Sequence, residues 1–147
     1  MKDTLTQKET QGLGMPWEEM YGYAQAVRVG NAIYVSGQFA HDDKGELVGP
    51  APVNESGEIM NHKNMRAQMK QTYENAKKVL DKFGLTLENV VEEVIYVTDM
   101  DEAFEVAGEV RKDAYGSKWP KVASTLLVTP RLAFPPQLVE IKFTAIV

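Results

Sequence analysis

The clearest periodicity in the chain runs from Asn64 to Phe83. There Met65, Met69, Thr72, Tyr73, Ala76, Val79, Leu80 and Phe83 recur at helical spacing and share one face. Gly84 follows at once, the residue that most readily takes the left-handed conformation that stops a helix. A second helix is predicted after Thr98-Asp99-Met100-Asp101, where a hydroxyl is followed three residues on by an acid, the pattern of a capping box. It places Phe104, Ala107, Val110, Arg111 and Ala114 on a common stripe and stops near Gly116.

Elsewhere the pattern is that of strands. Gly22 to Val29 alternates weakly, Gly30-Asn31 breaks it, and Ala32 to Phe39 is rich in β-branched and aromatic residues. Two strands joined by a tight Gly-Asn turn are predicted, since both turn residues tolerate positive φ. Val91 to Val97, Ser124 to Thr129 and Leu138 to Val147 read as further strands. Leu85 to Val90 is a connector, Lys118-Trp119-Pro120 a loop and Pro130 to Pro136 a break. His41 to His62 is polar and punctuated by Asp42-Asp43-Lys44-Gly45, Pro50, Pro52 and Asn54-Glu55-Ser56-Gly57. It is predicted to be a long loop with room for a short hairpin, long enough to help shape a site.

The stretch to about Pro16 is polar, contains Gly12 and Gly14, and reads as an arm or loop; residues 1–20 are set apart as an N-terminal arm and 21–147 as the domain. The order β-β-loop-α-β-α-β-β predicts an α+β fold with both helices on one face of the sheet. Such a sheet leaves its other face open unless another subunit covers it, so an oligomer is expected.

Composition narrows the functions that fit. At 147 residues the chain suits one domain, and 44% hydrophobic with 25% charged residues argues against disorder. The net charge of −5, with Lys and Arg scattered, repels a phosphate backbone, so no nucleic-acid partner is expected. With no cysteine, disulfides, thiolate catalysis and thiolate metal sites are excluded. Met1 to Gln7 lacks the apolar run of a signal peptide, and no stretch reaches the roughly 18 apolar residues that span a bilayer. The expectation is a cytoplasmic protein without a membrane partner.

Several strings resemble one family. Gln25 to Gln38 is similar, nearly residue for residue, to the N-terminal hairpin of the RidA/YjgF proteins. Asn89-Val90-Val91 with Tyr96-Val97-Thr98-Asp99-Met100 resembles that family's central strand and helix start, and Leu138-Val139-Glu140-Ile141 its closing strand. The resemblance covers Tyr23 to the C-terminus. It implies a chorismate-mutase-like fold, a homotrimer, small-molecule ligands in clefts between subunits, no metal or organic cofactor, and hydrolysis of reactive enamines and imines to a carbonyl compound and ammonia.

The resemblance also implies site residues. Glu140 matches an acid proposed to place or activate the water; its other reading is a salt bridge. Tyr23 matches a tyrosine lining the cleft, with a packing aromatic as its other reading, and Ser36-Gly37 a strand end that offers backbone groups to the ligand, where the glycine can instead mark a bulge. The family's carboxylate-gripping arginine is matched by Ser124 in Val122-Ala123-Ser124-Thr125, and Thr125 adds a hydroxyl beside it. A guanidinium grips a carboxylate with two hydrogen bonds. Losing it costs about 1.5–3 kcal/mol, tenfold or more in affinity for a small anion. Three outcomes stay open: a neutral substrate, a substitute cation (Lys121 and Arg131 are near in sequence), or loss of the chemistry. Gly108 stands where the family often has an asparagine, and Leu126 where it has a cysteine.

His41 and His62 flank the long loop without a visible third metal ligand and read as surface residues. Trp17 and Trp119 read as core or interface packing, with capping a pocket as the alternative. The function expected is a RidA-like hydrolase of a small imine or enamine; the alternative is a non-catalytic binding or regulatory trimer.

Overall fold

The computed structural model describes residues 7–147; the first six residues of the expected arm lie outside them. Six strands form one mixed sheet in the order β1-β2-β3-β6-β4-β5. In chain order the elements are β1 (Glu9–Gln11), α1 (Pro16–Tyr21), β2 (Ala26–Val29), β3 (Ala32–Gln38), α2 (Met65–Asp81), a 3-10 turn (Leu87–Asn89), β4 (Val90–Val97), α3 (Met100–Tyr115), β5 (Ala123–Val128) and β6 (Val139–Ile146).

The sharpest two-residue alternation in the sequence takes the most central place. Val139, Ile141, Phe143 and Ala145 of β6 are all buried, and the strand lies antiparallel between β3 and β4. They meet Met65, Met69, Tyr73, Ala76 and Leu80 of α2 and Ala103, Val106 and Val110 of α3 in one core. β4 and β5 are parallel, joined by α3, as a crossover requires. Both long helices thus cover one face, as the element order predicts. The opposite face carries Tyr34, Val94, Tyr96 and Leu127, and Tyr34 is 56% exposed.

Gly30 turns the β2–β3 hairpin with φ 59°, while Asn31 keeps a negative φ, so one residue of positive φ suffices. The long loop carries two small bridges, His41 with Leu47 and Val53 with Ile59, in place of a regular hairpin. Two buried amides of α2 hold its surroundings. Asn75 Nδ2 donates to the carbonyls of Phe39 (2.8 Å) and His41 (3.0 Å). Gln68 Nε2 donates to those of Gly49 (2.8 Å) and Pro136 (2.9 Å), and its oxygen accepts from the Leu138 N–H at 2.8 Å.

Three expectations change. Asp99, not Thr98, caps α3, accepting the Glu102 N–H at 2.9 Å. Thr98 is still held to the strand, its N–H donating to the Leu138 carbonyl at 3.0 Å, so the chain leaves the sheet one residue later. The buried stripe of α3 accordingly includes Ala103, Val106, Ala107 and Val110, and Phe104 is 77% exposed. Finally, part of the segment read as arm or loop is ordered: β1 pairs antiparallel with β2, and α1 follows. Three residues show no period, and a helix without a buried side chain leaves no apolar stripe to read.

Candidate functional site

At the end of β3 the ladder with β6 slips. Val35 pairs with Phe143 and Gln38 with Ile141, so Ser36 and Gly37 together face Lys142 alone in a β-bulge. The next outward-facing residue of β6 beyond the bulge is Glu140, which pairs with Tyr96 and so points to the face away from the helices. Its carboxylate lies against the bulge. A Cβ on Gly37 would come within 2.5 Å of Glu140 Oε2 and 2.7 Å of its carboxyl carbon, so any larger residue there must displace the carboxylate.

Gln137 Nε2 donates to Glu140 Oε1 at 3.3 Å and to the Val139 carbonyl at the same distance. Burial pushes the Glu140 carboxyl above its usual range, and the Gln137 hydrogen bond offsets only part of the shift.

Tyr23 closes the other side. Its hydroxyl accepts from Gln25 Nε2 at 3.3 Å. Burial, reinforced by the charges of Glu18 and Glu140, raises its pKa against the lowering effect of its hydrogen bonds. Behind it runs a chain of amides: Gln38 Nε2 donates to Gln25 Oε1 (2.8 Å), and Gln25 Nε2 to Glu18 Oε2 (3.1 Å). Glu18 also accepts the N–H groups of Leu13 (3.1 Å) and Met15 (3.0 Å). Burial opposes its charge, but these donors outweigh it and hold its pKa low.

An aromatic wall adjoins this set. Trp17 packs on Phe39 (5.2 Å between ring centres), His41 (5.0 Å) and Phe134 (6.1 Å). Its Nε1 is sealed from solvent without an acceptor of normal geometry, although Tyr23 is nearby. The long loop presses on it through Gly45, where a Cβ would sit 3.1 Å from the indole and where φ is 85°. His41 is therefore not the surface residue the sequence suggests: it is 3% exposed, packed by these rings, with Nδ1 2.9 Å from the Asp42 carbonyl. Trp119, read as core or interface packing, is not in the core: it is 86% exposed on the single chain.

Of the residues singled out from sequence, Tyr23, Ser36, Gly37 and Glu140 come together. Ser36 is already committed, its hydroxyl donating to the Ala24 carbonyl at 2.7 Å and its N–H to that of Gln25 at 2.8 Å. Ser124 and Thr125 stand apart on the exposed strand β5. Ser124 pairs with Glu93 and faces the helix side, while Thr125 pairs with Val94 and shares the face of Glu140. Two strand spacings and three residues of rise separate Ser124 from Glu140 by about 14 Å. Glu18, Gln25, Gln38 and Gln137 escape the sequence reading because a lone polar residue on a short helix, strand or loop carries no spacing signal.

A second carboxylate, Glu93, is fully buried between sheet and helices. It accepts from the hydroxyls of Tyr73 (2.6 Å) and Tyr115 (3.0 Å) and is paired with Arg111 Nε. On that helix side an open depression of about 620 Å³ lies between α2 and Tyr115, lined by Glu74, Lys77, Lys78 and Asp81 among others. It contains none of the Glu140 group. Among the described residues no three His, Cys, Asp or Glu side chains are grouped to hold a metal ion, and no helix is long and apolar enough to cross a membrane.

The sequence profile of the endoribonuclease L-PSP family matches residues 17–147. A RutC family protein of Saccharolobus solfataricus is 33% identical over 125 residues, 84% of each chain. A protein of Dermatophagoides farinae named 2-iminobutanoate/2-iminopropanoate deaminase is 26% identical over 98 residues, 67% of this chain and 66% of the relative. The crystal structure of Rv2704 from Mycobacterium tuberculosis, described as a member of the YjgF/YER057c/UK114 family, superposes with a TM-score of 0.74 at 27% identity, covering 96% of this chain and all of that one.

Proposed function

The chain belongs to the endoribonuclease L-PSP family, that of the RidA, YjgF and RutC proteins, and from that premise we propose that it hydrolyses a small imine or enamine to a carbonyl compound and ammonia. The observation that carries the reading is Glu140: a carboxylate pressed into the Gly37 bulge, its pKa raised by burial, beside Gln137 and Tyr23. The deaminase name of the Dermatophagoides relative supports the substrate class.

Hydrolysis of C=N adds water to carbon and expels nitrogen as ammonia. Glu140 takes a proton from the water as its oxygen bonds to the imine carbon and passes it to nitrogen, giving a carbinolamine. The hydroxyl proton then moves to nitrogen through the same carboxylate as the C–N bond breaks, leaving the carbonyl compound and ammonia. A carboxyl whose pKa is raised by burial suits both transfers better than an ordinary one. Tyr23 Oη accepts from Gln25, which leaves its own hydrogen to donate to the ligand. No cofactor takes part in this scheme.

We place the cleft between subunits of a homotrimer. The face bearing Glu140 also bears partly exposed Tyr34, Val94, Tyr96 and Leu127, and a neighbour's β5 would bring Thr125 to it. RNA is a poor fit: the net charge is −5, and the strands offer this face one cation. A second reading, a binding or regulatory trimer without turnover, is favoured by the absence of any basic residue from β5.

The test is ammonia release from 2-iminopropanoate and 2-iminobutanoate generated in situ, with wild type and Glu140→Gln. Acceleration by wild type alone is expected. If wild type is no faster than buffer across a panel of imines, the hydrolase reading fails and the binding reading replaces it.

A further inference from the structure

A 2-imino acid carries a carboxylate next to the reacting carbon, and hydrolysis beside Glu140 therefore needs a cation to hold that charge against the acid. Most basic groups near the core are tied up or on the wrong side. Arg111 is paired with Glu93 under the sheet, Arg66 with Glu109, Lys77 with Glu74 and Lys78 with Asp43. Among the described residues only two on strands are basic, Arg28 and Lys142. Arg28 pairs with buried Ile33, so it lies on the helix side, and its Nε donates to the Gly30 carbonyl at 3.0 Å. Lys142 is two residues from Glu140 on β6 and shares its face.

The sheet register gives Lys142 a definite setting. It stands opposite the Ser36-Gly37 bulge on one side and Val94 on the other, and the same row ends at Thr125 on β5. Glu140 and Tyr96 form the next row and Glu92 and Thr144 the one before. The Lys142 side chain is exposed, and no carboxylate among the described residues lies within ion-pairing distance of it. Side chains two residues apart on one strand face are rooted about 6.6 Å from each other. That gap fits one small 2-imino acid, its carboxylate on the ammonium and its C=N carbon beside the carboxyl group.

We propose that Lys142 is the carboxylate anchor of this site, doing from β6 what β5 has no residue to do. The proposal rests on the imine-hydrolase reading for its substrate class. An ammonium is a compact point charge without the planar fork of a guanidinium, so the grip is single and the acid's side chain is loosely specified.

The probe is pyruvate, the oxo counterpart of the smallest substrate, titrated by calorimetry or ligand-observed NMR, with pyruvamide as the uncharged control. Wild type binds pyruvate more tightly than pyruvamide, and the preference shrinks as salt is raised. Lys142→Gln weakens pyruvate about tenfold or more and leaves pyruvamide unchanged, while Lys142→Arg retains pyruvate. Equal pyruvate binding by wild type and Lys142→Gln, or no preference for pyruvate in wild type, overturns the proposal. Imine turnover by wild type and Lys142→Gln separates the two ideas. Lysine-dependent pyruvate binding without imine turnover keeps the anchor and sinks the hydrolase; turnover indifferent to Lys142 does the reverse.

Discussion

Gly37 and Glu140 are fitted to each other across the β3–β6 bulge: the space a Cβ at position 37 would need is filled by the Glu140 carboxylate. Gly37 does not have a positive φ, so its backbone tolerates alanine and the steric clash is the whole effect. Gly37→Ala should fold and assemble like wild type but displace the carboxylate. A shift of about 1 Å in a catalytic group costs as much as about a hundredfold in rate. Imine turnover at constant circular dichroism checks this; an unimpaired Gly37→Ala would mean that the position of Glu140 is irrelevant to turnover.

Glu140 should also leave a mark on pH dependence. Its folded-state pKa is raised, chiefly by burial, above that of the unfolded chain. The folded state therefore holds the proton more tightly, and stability is lost as pH rises from the unfolded value through the folded one. Glu140→Gln removes that loss. The variant should match wild type below about pH 4 and exceed it in melting temperature at pH 7, while the acid limb of wild-type turnover sits above the ordinary carboxyl range. A variant less stable than wild type at neutral pH would contradict the assignment.

What the sequence made legible follows from periodicity. The α2 face from Met65 to Leu80 and the β6 alternation from Val139 to Ala145 are strong because one side of each is wholly buried. The site was half legible. Tyr23, Gly37 and Glu140 lie in or close to strands, where a local string fixes position. The polar backing was not, because Glu18, Gln25, Gln38 and Gln137 are joined by contacts across turns and a bulge. Nor does a string tell which face a residue takes. By sequence Ser124 takes the arginine's place and Thr125 only adds a hydroxyl beside it, yet the β4 register sends Ser124 to Glu93 and Thr125 toward the row of Lys142.

That difference is testable by adding a guanidinium at each position. Thr125→Arg adds a cation to the face of Glu140 and should strengthen pyruvate binding about tenfold. Ser124→Arg points toward Glu93, already held by Arg111, and should leave pyruvate affinity unchanged while lowering the melting temperature by like-charge crowding. The reverse order in a pyruvate titration would show that the β5 register does not set the cleft.

The buried Glu93 cluster makes its own forecast. Tyr73 and Tyr115 are pushed far above the usual phenol range, first by burial and then by the Glu93 charge, with Arg111 acting the other way. Both phenols should stay protonated in alkaline solution until the protein unfolds. Because these folded pKa values are raised, the stability they contribute is present below about pH 10 and lost as pH climbs past it. Ultraviolet titration should therefore show some of the six tyrosines ionising late and together with loss of structure. Glu93→Gln leaves Arg111 without its partner and should cost about 3–5 kcal/mol; a change under about 1 kcal/mol would mean that water reaches the pair.

Assembly and activity should fail together if the cleft is shared. Tyr96 pairs with Glu140 and lies on the face that the helices leave open, where an aspartate cannot sit beneath a neighbour; Tyr96→Asn, which puts no like charge opposite Glu140, is the control for its charge. Light scattering of wild type should report three 16.4 kDa chains. Tyr96→Asp should give a folded single chain with turnover reduced to the level of buffer, because a neighbour's β5 no longer reaches Glu140. A monomeric Tyr96→Asp that retains turnover would place the whole reaction within one subunit, and a wild type that is itself monomeric would remove the cleft altogether.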